Sequence, residues 1–379
     1  MESLVLKNKK KLGTSRRHPW VYSGAVAHMS PSARLGDILA VRSAEGELVA
    51  YGHRTSGKSI VCRIFEFTNK EIKIDDAYWY AKFHNALNYR KLLAMDGNSY
   101  RLFYSEADDL GGLTCDIFGN SASVHFGSEG MECLQDLIVK FLKEEVHIQH
   151  IFVKTAQSSH WIGEAPASVD FEEHSLKLNS LIESGQKTGY FLDQRDNRKL
   201  VSEFAKGRTV LDAFCYVGGF GLHALQGGAK EVVFLDASKG ALANVQKHVE
   251  ANFSNANISY ETADCFEYLR KMESNRFDLI VLDPPAFAKR ADYINQAARA
   301  YKDINLIALK KIKAKSLLFT FSCSQHISKE LFRTILYQAA LDAGRSIRVI
   351  RELGQAADHP TSIYHPEGDY LKGLALYVD

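Results

Sequence analysis

Apolar and polar positions along this chain fall into three successive patterns. Residues 1 to 70 carry GDILAVRS, ELVAYGHR and SIVCRIFEF, period-two segments bounded by Gly and Ser. This predicts short strands of a small β-barrel-like domain. Over 71 to 186 the pattern is α+β. An aromatic-rich helix is expected at Asp75–Met95 and strands at YRLFYS, GLTCDIF and SASVHF, with Gly119-Asn120 as a hairpin turn. An amphipathic helix near Glu129–Glu145 and a strand HIFVK follow. From 187 to 379 the apolar runs RTVLDAF, EVVFLDAS, ISYETAD, FDLIVLDPP and SLLFTFSCS alternate with helix-compatible stretches. That alternation predicts an α/β, doubly wound, mostly parallel sheet, with RSIRVIREL and LKGLALYV as an antiparallel pair at one edge.

Composition adds exclusions. With 379 residues, 46% hydrophobic and 24% charged, the chain is expected to hold more than one globular domain. It contains no apolar run of membrane-spanning length, and its N-terminus lacks a signal-peptide pattern. The six cysteines, Cys62, Cys115, Cys133, Cys215, Cys265 and Cys323, form no CxxC spacing. No metal site or disulfide framework is expected, and a reducing cytoplasm fits. A net charge of +2 is uninformative, but Lys7, Lys9, Lys10, Lys11, Arg16 and Arg17 crowd the N-terminal segment. That cluster suits phosphate contacts or a solvated terminus.

Chemistry is expected beyond the carboxyl ends of the sheet strands, where open α/β sheets bind ligands. The five strands end at Asp212, Asp236, Asp264, Asp283 and Cys323. A lone Asp after a strand is often a helix N-cap; four such ends and a thiol, all at one edge, argue for a site. The first turn reads DAFCYVGGFG, in which Gly218, Gly219 and Gly221 do not match G-x-G-x-x-G. An acid opening that turn suits a ligand with a cationic amino acid end, as in S-adenosylmethionine, and would repel a pyrophosphate. Asp212, Phe214, Gly218 and Gly219 are expected to hold that end, although the glycines also serve a tight turn. Asp236 is placed at the ribose hydroxyls, and Asp264 with Cys265 at the adenine. Pro284, Pro285 and Phe287 in LDPPAF form a rigid lip beside Asp283 that suits a planar base. Cys323, flanked by Ser322 and Ser324, stands apart from Cys62, Cys115 and Cys133, which read as small core residues, and from Cys215 and Cys265, which lie in the cofactor turns and also suit packing.

Longer motifs carry a resemblance. SRRHPWVYSGAV, QKTGYFLDQRDNR, DAFCYVGGFG, LDPPAF, AYKDIN, TFSCS and QAADHP occur in this order. They resemble the bacterial large-subunit (23S) rRNA cytosine-5 methyltransferase family from about residue 4 to the C-terminus. The resemblance implies an N-terminal PUA RNA-binding domain, a central α+β domain and a class I, Rossmann-like methyltransferase domain using S-adenosylmethionine. It matches Cys323 to the family's nucleophile and Asp283 to the acid of its Asp-Pro-Pro motif. Carbon 5 of cytosine is a poor nucleophile; a thiolate added at carbon 6 makes it reactive. Tyr190, Asp193 and Gln194 are then expected at the cofactor and Arg195 at RNA, although the same stretch reads as a capped entry helix. Arg16, Arg17 and Trp20 are expected at RNA, and Trp20 also fits a core position.

Two positions depart from the pattern. Ala286 stands where two-cysteine enzymes place a second thiol, and the connector Gly163–His174 is short. The expected partner is 23S ribosomal RNA, without a membrane; the oligomeric state stays open, a homodimer being one form. A methyltransferase for another RNA base nitrogen, or a catalytically inactive RNA-binding assembly factor, are the alternatives.

Overall fold

The computed structural model describes every residue except 8–15, 184, 186, 187 and 289. Lys9, Lys10 and Lys11 of the basic cluster thus lie outside the described residues. The chain forms two compact units: Met1–Glu172 with Ser180–Tyr190 and Ala357–Gly368, and Glu173–Asn179 with Phe191–Ala356 and Asp369–Asp379.

The first unit opens with β1 (Glu2–Leu6), β2 (Trp20–Tyr22), β3 (Val26–Met29), β4 (Ile38–Arg42), β5 (Leu48–Arg54) and β6 (Ile60–Glu66). These form one six-stranded sheet in the order β2-β6-β5-β4-β1-β3, in which β1 and β4 pair in parallel. Alternation puts Leu39, Val41 and Ala50 into one core, with Leu4, Cys62 and Ile64. The intervening Ala40 and Tyr51 join a second core. The sheet is therefore apolar on both faces.

That second core is built by α1 (Asp76–Leu92), β7 (Ser99–Tyr104), β8 (Leu113–Phe118), β9 (Ser121–Phe126), α2 (Glu129–Glu132), α3 (Gln135–Glu144), β10 (His150–Lys154) and β11 (Ser159–Ile162). The sheet order is β11-β10-β9-β8-β7. Asp75 caps α1 by accepting from the Tyr78 amide at 3.1 Å, and Trp79, Phe83, Ala86 and Leu87 form its buried face. The helix expected over Glu129–Glu145 is two helices. A Leu134 amide bond to the Met131 carbonyl at 3.1 Å tightens the turn and breaks the α ladder there. Short strands β12 (Asp170–Glu173) and β13 (Leu176–Asn179) follow in the sequence.

The second unit contains α4 (Arg195–Phe204), β14 (Thr209–Ala213), α5 (Gly219–Gln226), β15 (Glu231–Asp236), α6 (Lys239–Asn252), β16 (Ile258–Thr262) and α7 (Cys265–Lys271). It continues through β17 (Leu279–Leu282), α8 (Ile294–Lys311), β18 (Ser316–Ser322), α9 (Lys329–Ala343), β19 (Ile347–Leu353) and β20 (Lys372–Val378). The seven-stranded order is β16-β15-β14-β17-β18-β20-β19. The first five strands are parallel, and β20 runs antiparallel to both β18 and β19. The chain steps outward from β14 to β15 and β16, then returns to β17 on the other side of β14. That reversal makes a switch point at β14 and β17. Fully buried Val210, Leu211, Val233, Ile280, Val281 and Leu318 give these strands their continuous apolar character. The expected doubly wound α/β sheet and antiparallel edge pair are both present. Among the described residues, no helix is long and apolar enough to cross a membrane.

Candidate functional site

Carboxylates gather where β14, β15 and β17 end. Asp212 is fully buried, and its Oδ2 accepts from the Gly221 amide at 2.8 Å. Its Oδ1 is buried with no hydrogen-bond partner. Burial, the strongest influence, pushes this carboxyl up to about 8; the Asp283 and Asp236 carboxylates add to the rise, and the Gly221 amide opposes it. A cationic group placed here would relieve both the unmet acceptor and the like-charge repulsion. The donor set therefore fits the ammonium end of S-adenosylmethionine.

The turn after β14 is backbone under strain. Phe214 and Tyr216 hold left-handed φ of 60° and 50°, and Gly218 holds 82°. Non-glycine residues in that region cost about 1–2 kcal/mol each and persist at sites that need them. The result is compact: a Cβ on Gly218 would lie 2.8 Å from Val245 Cγ1, so α5 starts in close contact with α6. Gly219 is the first residue of α5. The Tyr216 amide donates to Asp236 Oδ2 at 2.9 Å, and the Ser238 amide to Oδ1 at 2.8 Å. Asp236 is thereby oriented while half-buried.

Asp264 lies two residues beyond β16, is exposed, and caps α7 by accepting from the Glu267 amide at 2.9 Å. Cys265 is buried, its thiol pushed up to about 12 by burial, and it packs in the core. Its neighbour Phe266 is half-buried, with ring centroids 6.3 Å from Phe214 and 5.9 Å from Phe287.

Asp283 and Cys323 follow the adjacent strands β17 and β18. Both are half-buried. The Cys323 Sγ lies 3.9 Å from the Pro284 carbonyl oxygen. Pro284 is buried and Pro285 exposed, while the Phe287 ring sits 4.6 Å from that of buried Tyr301. Ser324 joins the two loops: its Oγ accepts from the Ala288 amide at 3.2 Å and lies 2.9 Å from the Tyr301 hydroxyl. On the other side, Lys372 Nζ donates to the carbonyls of Ser324 and Ile327 at 2.6 and 2.7 Å. Sequence reasoning passed over Lys372.

The segment before α4 is largely interior. Gln194 is 2% exposed and donates through Nε2 to Asp283 Oδ1 at 3.1 Å. Its Oε1 accepts from Asn197 at 2.6 Å. Asp193 is buried and accepts from the Tyr370 hydroxyl. Arg195, expected at RNA, is 2% exposed and faces Glu173, with 3.5 Å between Nε and Oε2. It lies in the interior of the second unit rather than on its surface. Tyr190 belongs to the first unit, where it is buried edge-on against Phe171 with centroids 5.0 Å apart.

Among the described residues, Glu173, His174 and His223 could together offer ligand atoms to a metal ion. Glu173 already receives two bonds from Arg198, at 2.6 and 2.7 Å, so a guanidinium supplies the positive charge. Burial opposes the charge on Glu173, yet Arg198 holds its carboxyl down at about 2.

In the first unit Arg16 and Arg17 are exposed. The Arg17 guanidinium lies over the rings of Phe67 and Tyr364 at 5.4 and 5.3 Å. Trp20 is half-buried. It donates through Nε1 to Glu106 at 2.7 Å, and its ring lies 4.5 Å from that of His365. The QAADHP motif has a structural part here: Asp358 accepts from the Arg101 amide at 2.8 Å, and its carbonyl from Arg90 at 3.0 Å.

Comparison with known proteins agrees with this architecture. A PUA-like domain model matches residues 4–67, and an S-adenosylmethionine-dependent methyltransferase model matches residues 142–312. Ribosomal RNA large subunit methyltransferase I of Alteromonas mediterranea is 37% identical, over 99% of this chain and 98% of its own length. The protein of that name from Citrobacter koseri is also 37% identical, over 99% of both chains. The crystal structure of SMU.776 complexed with SAH superposes with a TM-score of 0.86 over 100% of both chains, at 22% identity. A second structure, from Streptococcus mutans, gives a TM-score of 0.84 at 21% identity, again over 100% of both chains. The fold is a PUA-like N-terminal domain with a class I methyltransferase fold.

Proposed function

Because the chain belongs to the ribosomal RNA large subunit methyltransferase I family, we propose that it methylates carbon 5 of a cytosine in 23S ribosomal RNA. The observation that carries this reading is a half-buried thiol and a half-buried carboxyl on adjacent parallel strands, Cys323 after β18 and Asp283 after β17. Asp283 stands beside the carboxylates of Asp212 and Asp236. A ring nitrogen carries its own lone pair and would leave the thiol without a task.

In this reading Asp212 receives the ammonium of S-adenosylmethionine, Asp236 the ribose hydroxyls, and Asp264 and Phe266 the adenine. The bound cofactor supplies an electrophilic methyl group. Cys323 adds as a thiolate to carbon 6 of the target cytosine, and the C5–C6 π electrons become available at carbon 5. Asp283 gives N3 a proton during addition and recovers it on elimination. Pro284, Pro285 and Phe287 form the rim that orients the base. After carbon 5 has gained the methyl group, a base takes its proton, the C5–C6 double bond re-forms and the Cys323 thiolate leaves. Ala286 offers no second thiol, so Cys323 must complete this elimination without one. Exposed Arg16 and Arg17 contact RNA phosphates.

Methyl transfer to unmodified large-subunit rRNA, followed by nucleoside mapping, tests the reading. 5-Methylcytidine is the expected product. A methyl group on a base nitrogen would overturn it.

A further inference from the structure

The proposed chemistry needs a thiolate, and a free thiol titrates at about 8.5. We infer that Lys372 is the positioning residue that activates Cys323, by placing a buried ammonium beside the thiol and tying down the loop that carries it. The inference rests on reading Cys323 as the nucleophile.

Lys372 opens β20, directly opposite Ser322 in the antiparallel register with β18. It is 4% exposed, an unusual place for a lysine. Its Nζ donates to the carbonyls of Ser324 and Ile327, at 2.6 and 2.7 Å, which bracket the turn after Cys323. Those carbonyls are neutral acceptors. Neighbouring cations are already paired: Lys329 with Asp369 at 2.5 Å, and Arg333 with Glu352 at 2.7 Å. Among the described residues, no carboxylate is hydrogen-bonded to Lys372. The thiol is therefore a natural counter-charge.

Electrostatics point the same way. The Lys372 ammonium is brought down to about 8, chiefly by burial; Cys323 resists the fall, with a smaller contribution from Asp369, and Lys329 adds to it. Interaction between two titrating groups is reciprocal, so an ammonium stabilised by the thiolate stabilises that thiolate in turn. The other groups around the thiol are Tyr301 from α8, hydrogen-bonded to Ser324, Asp283 ahead of Pro284, and exposed His326 on the loop itself. A cavity of about 390 Å³, lined by Lys372, Lys329, Glu330, Arg333 and Glu352, reaches the lysine from the side of α9 and β19. It gives the ammonium a route for proton exchange with solvent.

The test is the pH dependence of Cys323 alkylation by iodoacetamide in the full chain, read at that peptide by mass spectrometry. Exposed Cys133 serves as the internal reference. In the unaltered protein the half-point should fall below the free-thiol value of about 8.5. Lys372→Met should raise it by about one unit and slow alkylation at neutral pH about tenfold. Lys372→Arg should restore it. A half-point at or above the free-thiol value in the unaltered protein overturns the inference, whether or not Lys372→Met folds. So does an unchanged profile in Lys372→Met, or a raised one that Lys372→Arg does not restore. Failure of the nucleophile reading looks different: Cys323→Ala would keep methyl transfer while the alkylation shifts remained.

Discussion

Gln194 holds Asp283: the amide Nε2 donates to Oδ1 at 3.1 Å, from a side chain only 2% exposed. Asn197 fixes the other end of that amide and itself donates to the Gly354 carbonyl at 2.9 Å. The carboxyl proposed to exchange a proton with cytosine N3 is thus aimed by a buried relay. Gln194→Leu should lower kcat by about ten- to a hundredfold while changing the KM for S-adenosylmethionine little. Steady-state kinetics decide; an unaltered kcat would remove Asp283 orientation from the account.

Asp212 predicts how ligand-free stability depends on pH. Its folded value of about 8 lies above the ordinary carboxylate value, so between about 4 and 8 the native state holds a proton that the unfolded chain has lost. Stability from this group therefore falls as pH rises through that window. Asp212→Asn should remove this contribution and abolish S-adenosylmethionine binding. Urea unfolding at pH 5 and pH 8 measures the first effect. Calorimetry in buffers of different ionisation enthalpy should show proton release on binding by the unaltered protein, and buffer-independent heats would contradict it.

Glu173 carries the opposite sign. Its folded value of about 2 lies below the unfolded value, so its stabilisation is present above about 4.5 and disappears as pH falls from there toward 2. Glu173→Gln leaves Arg198 buried without its carboxylate, which costs about 3–5 kcal/mol near neutrality. Thermal unfolding across pH 2.5 to 7 should show the two proteins converging in acid. A constant difference would refute the assignment.

Gly221 tests the close approach of α5 to β15 through packing alone. A Cβ there would lie 2.2 Å from Phe234 Cε1, inside a fully buried ring. Gly221→Ala should destabilise by about 1–3 kcal/mol. An unchanged denaturation midpoint would mean that α5 and β15 are not as close as described.

Strand ends were the legible part of the sequence. Long apolar runs closed by Asp212, Asp236, Asp283 and Cys323 fix both the strands and the edge from which side chains reach a ligand, because parallel strands share one direction. The strand-end pattern assigns Asp264 to the adenine, and its capping of α7 is visible only in the fold. Arg195 misled because a polar run opening a helix resembles a surface; its partner Glu173 is too distant in the sequence to be seen. The turn between β12 and β13 was equally hidden. His174 and Ser175 both take left-handed φ, 49° and 68°, without the Asn-Gly signal that usually marks such turns. Lys372 escaped for a related reason: its meaning comes from the β18–β20 register, across about fifty residues of chain.

The most direct test of the central proposal is to incubate the full chain with S-adenosylmethionine and rRNA containing 5-fluorocytidine. Fluorine at carbon 5 cannot leave as a proton does, so elimination stalls and the sulfur–carbon bond persists. The expected result is a denaturant-resistant protein–RNA complex, mapped to Cys323 and absent in Cys323→Ala. Methyl transfer to ordinary rRNA by Cys323→Ala, with no complex trapped by the unaltered protein, would contradict covalent catalysis at cytosine.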